Sequence, residues 1–175
     1  MAEPGRVTHT IDPIFDERSR ALVLGTMPSP ASRAVGFYYG NPRNRFWPVL
    51  AALWDETDSG DNEGRRDLCL RHGVALWDVL ASCRIAGASD ASIRDPVPND
   101  VGRILRAAPI SAVFCTGATA ARLYARLVEP ATGVSCVRLP STSPANARMG
   151  TGELIEAYGA VKLAADASHA TLSHC

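Results

Sequence analysis

The chain has 175 residues, 46% of them hydrophobic and 21% charged, which suits one compact domain with a full core. Eighteen basic and eighteen acidic residues leave a formal net charge of zero, so attraction to a polyanion has to come from a local patch. No apolar run reaches the ~18 residues of a membrane span, and Met1–Arg6 lacks the apolar core of a secretory signal; the expected compartment is the cytoplasm. The cysteines, Cys69, Cys83, Cys115, Cys136 and Cys175, form no C-x-x-C pair and fit neither zinc nor iron–sulfur spacing. No metal and no cofactor are expected.

Residues 1–20 read as an N-terminal arm, 21–165 as a single domain and 166–175 as a flexible tail. Ala21-Leu22-Val23-Leu24-Gly25 is a short apolar run ending in Gly, the pattern of a buried strand. A long loop rich in Pro, Ser, Gly and aromatics follows, from Thr26 to Asn44. Phe46, Trp47, Val49, Leu50, Leu53 and Trp54 recur at helical spacing, and 65–72 also looks helical. The run 73–80 predicts a second strand and 82–98 a second long loop. Asn99 or Asp100 is a candidate N-cap for a helix containing Val101, Ile104 and Leu105. A third strand spans 110–116, an Ala-rich helix 118–128, a fourth strand 134–139, and a last helix 151–165. Strands alternating with helices predict an α/β fold, a three-layer α/β/α sandwich with a central four-stranded parallel sheet. Ligands of such sheets bind outside the carboxyl ends of the strands. The loops that leave those ends are 25–45, 81–98, 116–118 and 140–150, so one shared site is expected there.

The densest of these loops is Gly36-Phe37-Tyr38-Tyr39-Gly40-Asn41-Pro42-Arg43-Asn44-Arg45-Phe46-Trp47, which holds five of the eleven aromatics. Aromatic faces stack on flat rings, amides read hydrogen-bonding edges and Arg binds phosphate. Those are the parts needed to hold a nucleobase on a charged backbone, although Phe46 and Trp47 also suit a helix anchor. Gly25-Thr26-Met27-Pro28-Ser29 is a turn that permits close backbone approach. Ser141-Thr142-Ser143-Pro144-Ala145-Asn146 is a stiff loop with hydroxyls and amides able to grip phosphates or to cap the final helix. Neither a G-x-x-x-x-G-K-[ST] nor a G-x-G-x-x-G loop is present. The four His, at positions 9, 72, 169 and 174, lie outside the strand-end loops, which argues against a His-activated nucleophile. Asp78, Asp90 and Asp95 form no obvious pair in sequence.

These three segments together resemble the uracil-DNA glycosylase superfamily, and within it the hypoxanthine-DNA (deoxyinosine) glycosylase family, over about residues 10–163. The resemblance implies the fold above and removal of a deaminated base from double- or single-stranded DNA by a monomer. It implies that Asn44, in Pro-Arg-Asn-Arg-Phe-Trp, is catalytic, because Met27 stands where other relatives carry the catalytic Asp or Asn. Thr26, Met27, Phe37, Tyr38 and Thr116 are the expected base-binding residues; Phe37 or Tyr38 would stack on the base, and Thr116 takes a position where Asn is expected. Ser29, Arg43, Ser141, Ser143, Asn146, Arg148 and Met149 are the expected DNA contacts, with Arg148 or Met149 filling the gap the base leaves. Three other functions stay open on the residues alone: a lesion-binding protein without catalysis, a nucleoside- or nucleotide-processing enzyme, and a plain α/β scaffold with packed aromatics.

Overall fold

The computed structural model describes residues 5–167. The tail expected over 166–175 therefore falls almost wholly outside the described residues, as do His169, His174 and Cys175. Four parallel strands form the central sheet: β2 (Ala21–Gly25), β3 (Val74–Asp78), β6 (Ala112–Thr116) and β7 (Cys136–Leu139), in the spatial order β3-β2-β6-β7. Every residue of β2 and β3 is buried, as their unbroken apolar runs require of parallel strands covered on both faces. Burying each Leu or Val of these strands stabilises the fold by about 1.5–3 kcal/mol.

The helices are α1 (Pro30–Val35), α2 (Phe46–Ala52), α3 (Asn62–Arg71), α4 (Gly102–Ala107), α5 (Ala118–Leu127), α6 (Glu129–Thr132) and α7 (Thr151–Asp166). The chain moves from β2 to β3 in one direction across the sheet and from β6 to β7 in the other. Right-handed crossovers then place α3 and α5 on opposite faces. The point where the direction reverses lies between β2 and β6, where a crevice opens at the carboxyl ends.

Three features depart from the sequence expectations. The segment 26–44 is not wholly loop: α1 starts at Ser29, whose Oγ accepts from Ser32 N–H (3.2 Å), runs from Pro30 at its first position and stops at Gly36 with φ +68°. The segment 82–98 is not a loop either. It makes up most of a second, antiparallel sheet of β1 (Gly5–Thr8), β4 (Leu80–Ile85) and β5 (Arg94–Pro98), ordered β1-β4-β5. Pro96 and Pro98 and the exposure of β5 hide that strand from pattern reading, since edge strands tolerate Pro. Finally, Asn99 does not cap α4; its Nδ2 donates to the carbonyls of Asp78 (2.9 Å) and Leu80 (3.0 Å), joining the end of β3 to the start of β4.

The N-terminal segment is bonded into the body of the molecule. β1 pairs with β4, and Ile14 exchanges two backbone hydrogen bonds with Leu76, covering the outer edge of β3.

Candidate active site

A cavity of about 650 Å³ lies at the carboxyl rim, bordered by the segments after β2, β6 and β7 and by the β4–β5 connection. Its floor begins at Gly25. A Cβ there would run into Asp78 Oδ1 and lie 3.3 Å from Tyr39 Oη, so only glycine fits. The carboxylate beneath is held from behind: Ile11 N–H donates to His9 Nδ1 (3.2 Å), and His9 Nε2 therefore donates to Asp78 Oδ2 (2.7 Å). In sequence His9 is part of an arm. The folded chain instead buries its side chain directly behind a strand end.

Asn44 is delivered by a tight turn. Asn41 C=O accepts from Asn44 N–H (2.9 Å), Pro42 takes the second turn position and Asn41 Oδ1 accepts from Arg43 N–H (2.9 Å). The Asn44 side chain borders the cavity. Its Oδ1 accepts from Phe46 N–H, the first of α2 (2.9 Å), and from the buried Thr142 hydroxyl (2.8 Å). Both partners are donors, which sets the amide's orientation and leaves Nδ2–H as the group it can offer a ligand. Arg45 ties the same turn to the opposite loop. Its N–H donates to Thr142 C=O (3.1 Å), and its guanidinium donates to Asn146 C=O (2.9 Å) and Met149 C=O (2.5 Å). Thr142 and Arg45 lie in segments that the sequence marks, but their roles are not legible there, because their work joins segments about a hundred residues apart.

The aromatics divide differently from expectation. Phe37 does not border the cavity; it is buried and stacked on Trp47 at 5.6 Å, so it cannot also stack on a base. Tyr38 borders the cavity but is 2% exposed, with its hydroxyl against the carbonyls of Asp12 (2.9 Å) and Ile11 (3.3 Å). Its ring is anchored in the core. The third aromatic, Tyr39, takes φ +51°, a conformation rare for a bulky residue. That backbone turn lays its ring on Phe46 (centroids 3.8 Å apart) and brings its hydroxyl 3.3 Å from Thr116 Oγ1 at the cavity floor. Burial holds the Tyr39 hydroxyl well above its ordinary pKa, so it stays protonated.

The remaining expected residues fall into two groups. Thr26, Met27, Ser29, Thr116, Ser141, Ser143 and Asn146 all border the cavity. Arg43, Arg148 and Met149 do not: Arg43 and Arg148 are exposed, whereas Met149 packs against the core. Several polar groups at the rim are already engaged. Ser141 Oγ accepts from Ser143 N–H (3.1 Å), Ser143 Oγ from Ala145 N–H (3.2 Å), and Asn146 Nδ2 donates to Ser141 C=O (2.9 Å). The loop is thus a preformed turn with hydroxyls along one edge.

Asp90, which has no evident partner in sequence, also lines the cavity. It starts a 3-10 turn, Asp90–Ser92, between β4 and β5, and Thr26 Oγ1 lies 3.4 Å from its Oδ2. Among the described residues it is the one formally charged side chain at the cavity wall. Asp90 is accessible at the mouth, yet the protein around it displaces enough water to raise its carboxyl above the ordinary range. Asp78 adds to the rise, while Thr26 and Arg122 oppose it.

Comparisons with known proteins agree on one lineage. A family model described as the uracil DNA glycosylase superfamily matches residues 13–160. A Methanosarcina acetivorans protein named hypoxanthine DNA glycosylase is 31% identical over 136 residues, covering 77% of this chain and 85% of that protein. A Methanosarcina barkeri protein of the same name is 31% identical over 98 residues, 55% of this chain and 62% of its own length. A solution NMR structure from Methanosarcina acetivorans, described as a candidate uracil DNA glycosylase, superposes with a TM-score of 0.74 at 26% identity. It covers 89% of this chain and 98% of that one.

Proposed function

We propose, for a chain that belongs to the uracil DNA glycosylase superfamily and is a DNA N-glycosylase, that its substrate is hypoxanthine in DNA, with uracil and xanthine as further bases. The observation that carries this is the placement of Asn44 at the cavity wall with its carbonyl oxygen doubly engaged and its amide N–H without a hydrogen-bond partner among the described residues. The names of the two Methanosarcina relatives support hypoxanthine as the first choice. Cavities of about 300–1,000 Å³ hold small ligands, which suits one flipped nucleotide.

The damaged nucleotide leaves the stack at a cost of a few kcal/mol, less at a mispaired lesion than at a normal pair. Tyr39, rather than Phe37 or Tyr38, offers the aromatic surface for the base, with Thr116 beside it. Asn44 Nδ2–H holds the oxygen of a water, leaving a lone pair for attack on the anomeric carbon. As the C–O bond forms and the C–N bond breaks, the electron pair of the C–N bond leaves with the base. A proton of the water passes to Asp90, the carboxylate at the wall. Before it takes that proton, the carboxylate charge of Asp90 also favours the cationic sugar of the transition state. Met27 has no atom able to accept that proton. Ser29, Ser141, Ser143 and Asn146 line the rim where flanking phosphates would pass, with Arg43 and Arg148 exposed beyond it. Arg148 is the wedge of choice, since Met149 is occupied by core packing. Lys162 lies on α7 and does not border the cavity, so the reaction is simple hydrolysis without a Schiff base.

Duplexes carrying one inosine, uracil or xanthine, incubated with the protein and then treated with alkali, test the substrate class. Strand breakage at inosine is expected to be fastest. Absence of breakage with all three would end the proposal.

A further inference from the structure

A neutral protein that grips DNA needs a local concentration of positive charge, and the cavity wall holds no cation among the described residues. The second sheet holds three. In its register, Arg6 on β1 stands opposite Arg84 on β4, and Arg84 stands opposite Arg94 on β5. Cross-strand partners point to the same face, and neighbouring strands lie about 4.7–4.9 Å apart. Arg6 and Arg84 therefore share a face, and Arg94 pairs with Arg84 across a β4–β5 ladder whose register is interrupted by bulges, so the three arginines cluster on one side of the sheet. All are exposed, while Cys83 and Ile85, which alternate with Arg84, are buried on the opposite face.

Like charges placed directly opposite one another are unfavourable in a sheet, and the surroundings do little to relieve this row. Arg84 Nε approaches Asp95 at 3.7 Å, with both side chains mostly in solvent. Arg6 donates to Ser82 Oγ (2.8 Å), and Arg94 donates to the carbonyls of Ile93 (2.8 Å) and Ala91 (3.3 Å). Among the described residues, then, the one carboxylate near the row is Asp95, loosely held by Arg84 alone. Their position also matters. β4 follows β3 after the single residue Val79, so the sheet rises from the carboxyl rim. The row stands at the base of the turn whose residues Gly87–Asp90 border the cavity.

We propose that the Arg6–Arg84–Arg94 row binds the sugar–phosphate backbone of the DNA next to the nucleotide held in the cavity. Guanidiniums suit phosphate oxygens by charge and by fork geometry. This role rests on the glycosylase reading above but acts in binding, not in bond cleavage.

The test measures affinity for a short labelled duplex holding one tetrahydrofuran abasic analogue, which cannot be cleaved, by anisotropy across a range of salt. Each phosphate that the protein neutralises adds about 0.9 to the slope of log affinity against log salt. The R6A/R84A/R94A variant is expected to lower the slope by about 2–3, and R84A alone by about 1, which serves if the triple variant fails to fold. A control variant, R18A/R106A/R126A, removes the same charge from exposed sites away from the cavity and should leave the slope unchanged. Single-turnover cleavage of an inosine duplex at saturating enzyme should stay within about twofold of wild type for the row variants. A slope equal to wild type in the row variants, or an equal loss in the control, overturns the proposal. Salt-sensitive binding that depends on the row, in a protein that cleaves none of the three lesions, would uphold this surface and reject the substrate assignment instead.

Discussion

The two walls of the cavity are built in opposite ways. On one side, the 41–45 turn and the 140–149 loop are joined by bonds between residues far apart in sequence: Asn44 to Thr142, Arg45 to Thr142, Asn146 and Met149. Tyr158 Oη adds a bond to Pro140 C=O (2.6 Å) at the root of that loop. On the other side, the β4–β5 turn is held by its own short-range bonds. Ala86 N–H donates to Ser92 Oγ (2.8 Å) and Ser92 Oγ to Ser89 C=O (2.6 Å). One 3.4 Å contact, Thr26 to Asp90, reaches across to it. The first wall is tied by several hydrogen bonds between distant segments; the turn of the second is tied across the cavity by one, its hairpin being anchored by the buried Cys83 and Ile85 and by Ile93. In the proposed mechanism, positioning of water falls to the first, cross-linked wall and charge to the second. A catalytic group tolerates little displacement when it must aim a nucleophile, whereas a charge acts over a longer range.

The largest effect should come from the cross-linked wall. Asn44→Ala is expected to lower single-turnover cleavage of an inosine duplex by about 10³-fold, the size of effect seen when one preorganised donor is lost. It should also cost about 1 kcal/mol of stability, because Phe46 N–H loses its acceptor. Asn44→Asp sharpens the point: it keeps the acceptor for Phe46 and Thr142 but has no N–H. Activity as low as that of the Ala variant, with wild-type melting, supports the donor role; retained activity contradicts it.

Asp90→Asn should follow, with a loss of about 10²-fold, at the low end for a removed proton acceptor. Its pH behaviour has a definite sign. Burial raises the Asp90 carboxyl above its ordinary value, so the active carboxylate forms at a higher pH than for a free Asp. The wild-type rate should fall as pH drops through that raised value, and the Asn variant should lose this acid limb. Stability moves the other way. A carboxyl whose folded-state pKa is raised destabilises the fold once ionised, with the penalty growing from the unfolded to the folded pKa and complete above it. Asp90→Asn should therefore melt slightly higher than wild type at neutral pH, and a lower melting point would count against the desolvated carboxylate.

Smaller effects test how the cross-linked wall is tied. Arg45→Ala removes two charge-assisted bonds to carbonyls and is expected to cost about 2–3 kcal/mol, read by denaturant unfolding. Cleavage should slow about tenfold as the 140–149 loop loosens. Thr142→Val takes one hydroxyl from Asn44 and should cost about 1 kcal/mol, with a rate loss of a few-fold. An Arg45 variant as stable and active as wild type would mean that these bonds do not set the two walls apart as described.

Sequence alone determined the central sheet. Continuous apolar runs such as Ala21–Leu24 have only one stable fate, burial on both faces, and the Gly, Pro and Asn clusters after them could only lie at the strand ends. It also singled out Asn44, through the resemblance of Pro42-Arg43-Asn44-Arg45-Phe46-Trp47 to the hypoxanthine-DNA glycosylase family. Only the tertiary structure decided how three consecutive aromatics divide: Phe37 packs in the core, Tyr38 borders the cavity but is anchored in the core, and Tyr39 reaches the cavity floor through a backbone conformation that composition does not reveal. It alone placed His9 behind Asp78, brought Asp90 beside Thr26 and clustered Arg6, Arg84 and Arg94. Periodicity records how often a residue is buried, which is a property of one segment. Strand register and side-chain bonds between distant segments are properties of pairs, and they exist only once the chain has closed on itself.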